Sequence, residues 1–242
     1  MAIVTTTRDY QDDAVQLEAF IAYDDLLAGS RPAVLINHAW AGRDAFVEQK
    51  AVRLAELGYV GFALDMYGKG VLGGSVEENA ALMQPFIDDR SLLQKRILAA
   101  LSEVRQLSMV DSGKIAAIGF CFGGLCVLDL ARTGADIQGV VSFHGLLGAP
   151  ENLTGNKIAA KVLVLHGHDD PMVPPEQVNA LQQEMTAAGA DWQVHVYGHT
   201  MHAFSNPVAN DPDFGTVYQA DADRRSWDSM KLFLREIFQD SE

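Results

Sequence analysis

The sequence predicts an α/β domain built on a mainly parallel, doubly wound sheet. Short apolar runs alternate with helical patterns along the chain, as expected for strands joined by crossover helices. We find no internal repeat, low-complexity tract or Pro/Ser-rich linker, so residues 1–242 are expected to form a single domain. The length of 242 residues and the hydrophobic fraction of 48% allow a buried core and exclude an intrinsically disordered chain.

The N-terminal elements differ from this alternation. Residues 3–7 and 14–22 form two extended segments around Gln11-Asp12-Asp13, which predicts an antiparallel hairpin at the edge of the sheet. A buried strand over residues 33–37 follows. The next helix ends at Gly58 and has apolar residues at helical spacing, namely Val47, Ala51, Leu54 and Ala55.

The rest of the chain continues with strands and helices in turn. Residues 59–64 form a strand, and a long helical stretch follows with one apolar face: Leu93, Ile97, Leu101 and Val104. The later strands are predicted at 114–119, 139–143, 161–165 and 193–197. The later helices are predicted at 122–132, at 175–188 and at the C-terminus, where Trp227, Met230, Leu234 and Ile237 form the apolar stripe.

Charge and cysteine content exclude several classes of function. The formal net charge of −14 argues against a nucleic-acid partner, because phosphate binding depends on Lys and Arg. No apolar run approaches the ~20 residues that span a bilayer, and the N-terminus has no secretory signal pattern. Two cysteines, Cys121 and Cys126, make a disulfide framework improbable and favour the reducing cytoplasm.

Neither a metal nor an organic cofactor is expected. The sequence has no His/Cys/Asp cluster with metal-ligand spacing and no phosphate- or dinucleotide-binding glycine motif. In a doubly wound sheet, chemistry collects at the carboxyl ends of the strands. The polar residues expected there are His38, Asp65, Cys121, His144, Asp170 and His202.

The segment Gly119-Phe120-Cys121-Phe122-Gly123 has the pattern of a nucleophile elbow between a strand and a helix. Such a turn is strained, and the residues two before and two after the nucleophile must be small. The thiol would lie at a helix N-terminus, where the dipole favours a thiolate, and the N–H of Phe122 would face a developing oxyanion. The alternative is a buried structural cysteine beside a glycine-rich turn, which is the interpretation that we give to Cys126.

The partners of this nucleophile should follow it in the order acid, then histidine. Asp169 and Asp170 compete for the acid position at the end of the strand over 161–165. His199 and His202 compete for the base position after the strand over 193–197. Each segment alone has an ordinary structural explanation, but together they occupy the expected places in the expected order.

With these motifs, the chain resembles the dienelactone hydrolase family of the α/β-hydrolase fold over essentially its whole length. The resemblance rests on Gly-Phe-Cys-Phe-Gly-Gly at 119–124, Gly-His-Asp-Asp-Pro-Met-Val-Pro at 167–174 and His-Ala-Phe at 202–204. It implies that Asp170 is the acid and His202 the base. It also implies that the N–H of Trp40 is the second oxyanion donor.

The sequence departs from the family pattern at two positions. Ala39 occupies the place of a glutamate that helps to activate the thiol, and Asn206 occupies the place of an arginine that binds the substrate carboxylate. Arg90 matches the family's other carboxylate-binding arginine, or else is a solvated helix residue. The family chemistry is therefore expected to extend to this chain more securely than the dienelactone substrate.

The resulting expectation is a carboxylic ester hydrolase that cleaves a small activated ester or lactone through a thioester on Cys121. The alternatives are a redox-sensing thiol, or a binding module that kept the fold and lost activity. His38 is expected either to line the site or to make a structural hydrogen bond, and His144 is a second candidate for lining the pocket. His166 is expected to be buried in its strand. The sequence does not predict the oligomeric state.

Overall fold

The computed structural model describes residues 1–239, and the chain divides into two compact units, Met1–Ile118 and Gly119–Glu242. The main sheet has eight strands. Strand β5 (Val110–Phe120) extends over the division between the units. The single domain expected from the sequence stays a prediction.

The first unit begins with the antiparallel hairpin of β1 (Ile3–Asp12) and β2 (Val15–Asp24). Its strand order is β1-β2-β4-β3-β5, with β3 at Arg31–Asn37 and β4 at Val60–Ala63. β2 pairs with β4 in antiparallel orientation, whereas β3 and β4 are parallel. The predicted hairpin is confirmed, and both of its strands are longer than the sequence indicated.

The helices of the first unit are α1 (Ala45–Ala55), α2 (Val76–Asp88) and α3 (Arg90–Val104). The predicted helical stretch is found, with its apolar face on α3, and Asp89 separates α3 from the preceding helix α2. Asp89 has extended backbone angles, and its side chain accepts hydrogen bonds from the N–H groups of Ser91 and Leu92. It is therefore the N-cap of α3.

The second unit continues the sheet in the order β5-β6-β7-β8, with β6 at Gly139–Phe143, β7 at Lys161–Gly167 and β8 at Trp192–Tyr197. β6, β7 and β8 are parallel. The helices are α4 (Phe122–Arg132), α5 (Pro175–Ala187) and α6 (Ala220–Phe238), with a short 3₁₀ turn at Glu151–Leu153. The sequence missed a small antiparallel hairpin, β9 (Asn210–Asp211) with β10 (Thr216–Val217).

The inner parallel strands are buried on both faces, which explains their uninterrupted apolar sequences. β8, the last strand in the sheet order, has only half-buried and exposed residues. β6 is buried along its whole length, and in β7 only Lys161 is partly exposed. The mainly parallel sheet with an N-terminal antiparallel hairpin is thus confirmed. No helix within residues 1–239 combines the length and the apolar character needed to cross a membrane.

Candidate active site

Cys121 occupies a sharp turn between β5 and α4. Its backbone angles are φ 55° and ψ −116°, and it is the N-cap residue of α4. Its N–H donates a hydrogen bond to the carbonyl of Phe143, 3.1 Å away. A non-glycine residue with positive φ is strained, and here the strain presents a half-buried thiol at the start of a helix.

Gly119, two residues before Cys121, is required by close packing. A Cβ atom at Gly119 would lie 2.0 Å from the carbonyl oxygen of Gly123, far inside van der Waals contact. Position 119 must therefore lack a side chain if the turn is to form. Cys126, on the same helix, is fully buried, which confirms its assignment to the core.

Asp170 lies three residues beyond the end of β7 and is buried, whereas its neighbour Asp169 is exposed. One carboxylate oxygen of Asp170, Oδ1, accepts the N–H of Met172 at 2.9 Å. The other, Oδ2, lies 2.7 Å from Nδ1 of His202. The structure therefore brings together Asp170 and His202, and the alternative acid Asp169 has no such contact with His202 among the described residues.

The backbone of His202 is held by the hairpin that the sequence did not predict. Its N–H donates to the carbonyl of Gly215 at 3.0 Å, and its carbonyl accepts the N–H of Val217 at 3.1 Å. Gly215 has φ +80° and lies so close to Pro171 that a Cβ atom would be 2.2 Å from the proline ring. The same hairpin therefore packs against the loop of Asp170. In the sequence, Gly215 is the residue that could have indicated a turn at this hairpin.

Opposing effects act on the imidazole of His202, which is 1% exposed. Burial disfavours the charged ring and lowers its pKa, while the negative charge of Cys121 and the hydrogen bond to Asp170 raise it. The net result is a pKa of about 10 for His202. Nε2 makes no hydrogen bond with the described residues 1–239, so Cys121 acts on the ring through its charge.

His144 packs against His202 at the end of β6. The two rings are 5.2 Å apart in an edge-to-face arrangement, and Phe204 contacts His144 in the same way at 5.0 Å. Nε2 of His144 is hydrogen-bonded to the hydroxyl of Ser205 at 2.8 Å. The ring of His144 is 2% exposed, so its contacts in the structure are those of a packing neighbour of His202. His166 is also buried, as the sequence predicted.

In the first unit, His38 and Trp40 lie in the turn that follows β3. His38 is fully buried and both of its ring nitrogens contact the backbone, which supports the structural alternative that the sequence left open. Trp40 is half-buried, and its carbonyl accepts the hydroxyl of Tyr67 at 3.0 Å. Arg90, the candidate carboxylate ligand, is the first residue of α3 and is also half-buried.

The comparison with known sequences decides the family. A sequence model of the dienelactone hydrolase family matches residues 17–238. The chain belongs to this family.

Within residues 1–239 no group of three His, Cys, Asp or Glu side chains has an arrangement that could hold a metal ion.

Solved and curated dienelactone hydrolase relatives match along nearly the full chain. A dienelactone hydrolase-like promiscuous phosphotriesterase from metagenomic libraries has 36% identity and a TM-score of 0.94, with 99% of this chain and 100% of that one covered. A Bradyrhizobium protein named as a probable 2-oxo-3-(5-oxofuran-2-ylidene)propanoate lactonase is 27% identical over 97% of this chain and 96% of its own. A Yersinia pestis protein named as a candidate carboxymethylenebutenolidase is 27% identical over 93% of this chain and 85% of its own.

Family membership establishes the fold and the class of reaction. The chain has the α/β-hydrolase fold of its structural neighbours. As a member of the dienelactone hydrolase family it is a hydrolase that acts on esters, and its substrate is a small molecule.

Proposed function

We propose that this hydrolase cleaves an activated ester or lactone through an acyl group carried on Cys121, with His202 as the base and Asp170 as the residue that orients it. The observation that carries this proposal is the position of His202. Its Nδ1 is bound to a buried carboxylate, and its pKa is raised by the charge of Cys121. A thiol nucleophile requires such a base, one that is oriented by a carboxylate and lies close enough to the sulfur to respond to its charge.

The first half of the reaction forms the thioester. His202 takes the proton of the Cys121 thiol, and the raised pKa of His202 favours the resulting thiolate–imidazolium pair. The sulfur attacks the substrate carbonyl and a tetrahedral oxyanion forms. The C–O bond to the leaving group then breaks. His202 gives its proton to the departing oxygen, or loses it to solvent when that oxygen leaves as an anion, because no thiolate remains to stabilise the imidazolium.

The second half of the reaction releases the acid. His202, again neutral, removes a proton from a water molecule, which attacks the thioester carbonyl. The C–S bond breaks and the sulfur leaves as the thiolate, reforming the pair with His202. The N–H groups of Phe122 and Trp40 are the proposed oxyanion donors in both halves. One such donor is typically worth ~3 kcal/mol of transition-state stabilisation.

Ala39 determines how the thiol is activated. Where other members of the family are expected to have a glutamate, this chain has a methyl group that cannot accept or transfer a proton. The thiolate of Cys121 therefore depends on His202 and on the N-terminus of α4.

The thiol nucleophile also restricts the substrate. A thiolate leaves a tetrahedral adduct more readily than an alkoxide does, so an ordinary alkyl ester tends to revert. An enolate or a phenolate is a far better leaving group, which favours enol lactones and aryl esters. The relatives named as a lactonase and as carboxymethylenebutenolidases agree with this preference. Arg90 is the proposed ligand of a substrate carboxylate.

The compartment follows from the same chemistry. Cys121 must stay reduced to act as a nucleophile, and both cysteines of the chain are free thiols in the structure. We therefore place the protein in the reducing cytoplasm.

Replacing Cys121 with Ala tests the proposal directly. The wild-type protein mixed with p-nitrophenyl acetate should gain one acetyl group on the Cys121 peptide, detected by mass spectrometry of the quenched reaction. The C121A variant should neither acquire that group nor release p-nitrophenol above background. Turnover by C121A at the wild-type rate would exclude the mechanism. A wild-type thiol that is oxidised by peroxide but never acylated would support the redox-sensing alternative instead.

A further inference from the structure

We propose that His38 is a positioning residue for the oxyanion donor: it fixes the peptide unit that carries the Trp40 N–H. The proposal rests on the proposed function, in which that N–H stabilises the oxyanion. The observation behind it is the pair of backbone contacts made by the two ring nitrogens of His38, one of them to the carbonyl of Ala39.

The contact on Nε2 determines which tautomer is present. Nε2 of His38 lies 3.1 Å from the backbone nitrogen of Met66. A backbone N–H can only donate, so Nε2 must accept and cannot carry a proton. In a neutral imidazole the proton is then on Nδ1. Nδ1–H therefore donates to the carbonyl oxygen of Ala39, 2.6 Å away.

The carbonyl of Ala39 and the N–H of Trp40 belong to the same peptide unit. That unit is planar and trans, so its C=O and N–H bonds point in opposite directions. A hydrogen bond that holds the carbonyl therefore also determines the direction of the N–H. The carbonyl of Ala39 accepts a second, longer bond from the N–H of Gly42 at 3.3 Å. A rotation of this peptide would break both bonds.

The ring of His38 is itself anchored to a rigid turn. Met66 belongs to the turn after β4, in which the side chain of Asp65 accepts the N–H groups of Tyr67 and Gly68 at 2.9 and 3.0 Å. The ring of Tyr67 packs edge-on against His38, with the centroids 4.8 Å apart. Through His38, the orientation of the Trp40 peptide is thus fixed by a turn that lies 25 residues or more further along the chain.

Burial keeps His38 in the form that this arrangement needs. Its side chain is fully buried, and burial lowers its pKa, with the bond to Ala39 acting in the opposite direction. A neutral ring is required, because a proton on Nε2 would face the donor N–H of Met66.

Two substitutions test the two hydrogen bonds of His38 one at a time, because each keeps one bond and loses the other. In H38N, the amide nitrogen occupies the place of Nδ1 and can donate to the Ala39 carbonyl, but nothing reaches Met66. In H38Q, the amide oxygen reaches the place of Nε2 and can accept from Met66, but no donor remains for Ala39. Each variant loses one buried hydrogen bond, so a merely structural role predicts similar losses. The proposed role predicts a selective loss in H38Q.

The measured quantities are two reactions of the same sulfur. Acylation of Cys121 by p-nitrophenyl acetate passes through an oxyanion, whereas alkylation by iodoacetamide is a displacement at carbon that forms none. H38Q should slow acylation about 10- to 100-fold, part of the effect of losing a donor, and change the alkylation rate less than threefold. H38N should acylate within about fivefold of wild type. The control variant Y67F removes a hydrogen bond to the Trp40 carbonyl, which belongs to the peptide unit after the one that carries the Trp40 N–H. Its rate of acylation should stay within threefold of the wild-type rate.

Equal losses of acylation in H38N and H38Q, or parallel losses of acylation and alkylation, would overturn the proposal. If wild-type Cys121 is alkylated but never acylated, the proposed function fails instead. The ring ¹⁵N shifts of His38 in the wild-type protein give a test that needs no variant. They should show a neutral ring protonated at Nδ1 near pH 7, and a ring protonated at Nε2 would contradict the assignment.

Discussion

Nδ1 of His202 lies 2.7 Å from Oδ2 of Asp170, and both side chains are almost fully buried. In such surroundings a charge-assisted hydrogen bond is strong, and it fixes the orientation of the ring. Because Asp170 takes Nδ1, Nε2 is the nitrogen that would exchange a proton with the thiol in the proposed mechanism. The second oxygen of Asp170 is held by the Met172 N–H, so the carboxylate itself cannot rotate freely.

The D170N substitution tests this contact with little change of shape. An amide has no negative charge and can present an N–H to Nδ1, which favours the wrong tautomer of His202. We expect kcat for p-nitrophenyl acetate to fall at least 100-fold, with a smaller change in KM. The matched control is D169N at the exposed neighbouring position, which should retain wild-type activity within about twofold. Equal losses in both variants would contradict the assignment of the acid.

The pKa of His202 should depend on the thiol. In the wild type the ring has a pKa of about 10: burial lowers the value, and the charge of Cys121 with the bond to Asp170 raises it. Removing the sulfur in C121A leaves the burial in place, so the pKa should fall by at least ~1 unit. At pH values just below 10, the ring would then be protonated in the wild type and neutral in C121A. An NMR titration of the His202 ring measures both values, and equal values would refute the coupling.

The turn at Cys121 should not tolerate a side chain at Gly119. Its Cβ would lie 2.0 Å from the carbonyl of Gly123, which is backbone and cannot move aside. G119A should therefore lower the free energy of unfolding by more than about 2 kcal/mol, measured by urea denaturation. G148A is the control, because a Cβ at the exposed Gly148 meets nothing within 4 Å. Similar stability of the two variants would show that the turn can relax.

A buried ion cluster in the second unit should contribute strongly to stability. The guanidinium of Arg132 binds Glu184 through two bonds of 2.8 Å and Asp129 through one of 3.1 Å. Asp129 is fully buried, so R132M would remove the guanidinium that pairs with a buried carboxylate and lower the free energy of unfolding by about 3–5 kcal/mol.

The control for this cluster is K161M. Lys161 bridges Asp191 and Glu236 at the exposed surface, and such pairs are worth less than about 1 kcal/mol. Thermal or urea unfolding of R132M and K161M side by side measures the difference. A loss of under 1 kcal/mol in R132M would mean that water or a new partner compensates Asp129.

Local patterns were sufficient to predict the fold and the placement of Cys121. The apolar runs indicated the buried parallel strands, and the spacing of Gly119, Cys121 and Gly123 indicated a sharp turn at the cysteine, in which the structure leaves no room for a side chain at position 119. The order of acid and histidine along the chain placed both near strand ends. The choice between Asp169 and Asp170 needed the family resemblance, because both residues fit the same turn in sequence.

Contacts between distant segments were not predictable in this way. The division between α2 and α3 depends on a capping bond of Asp89, which a continuous helical pattern conceals. The support of His202 by Gly215 and Val217 comes from a hairpin of two-residue strands, too short to give a periodic signal. The role of His38 depends on the backbone N–H of Met66, 28 residues away, and a backbone partner leaves no mark in the sequence.

The positive φ of Cys121 has a consequence for the evolution of this protein. A glycine would adopt φ 55° without strain. Stability therefore favours glycine at position 121, whereas the proposed catalysis requires cysteine. C121G should therefore raise the melting temperature while abolishing turnover. If the thiol is the nucleophile, stability and activity then make opposite demands on this position, and laboratory selection for thermostability alone would replace Cys121.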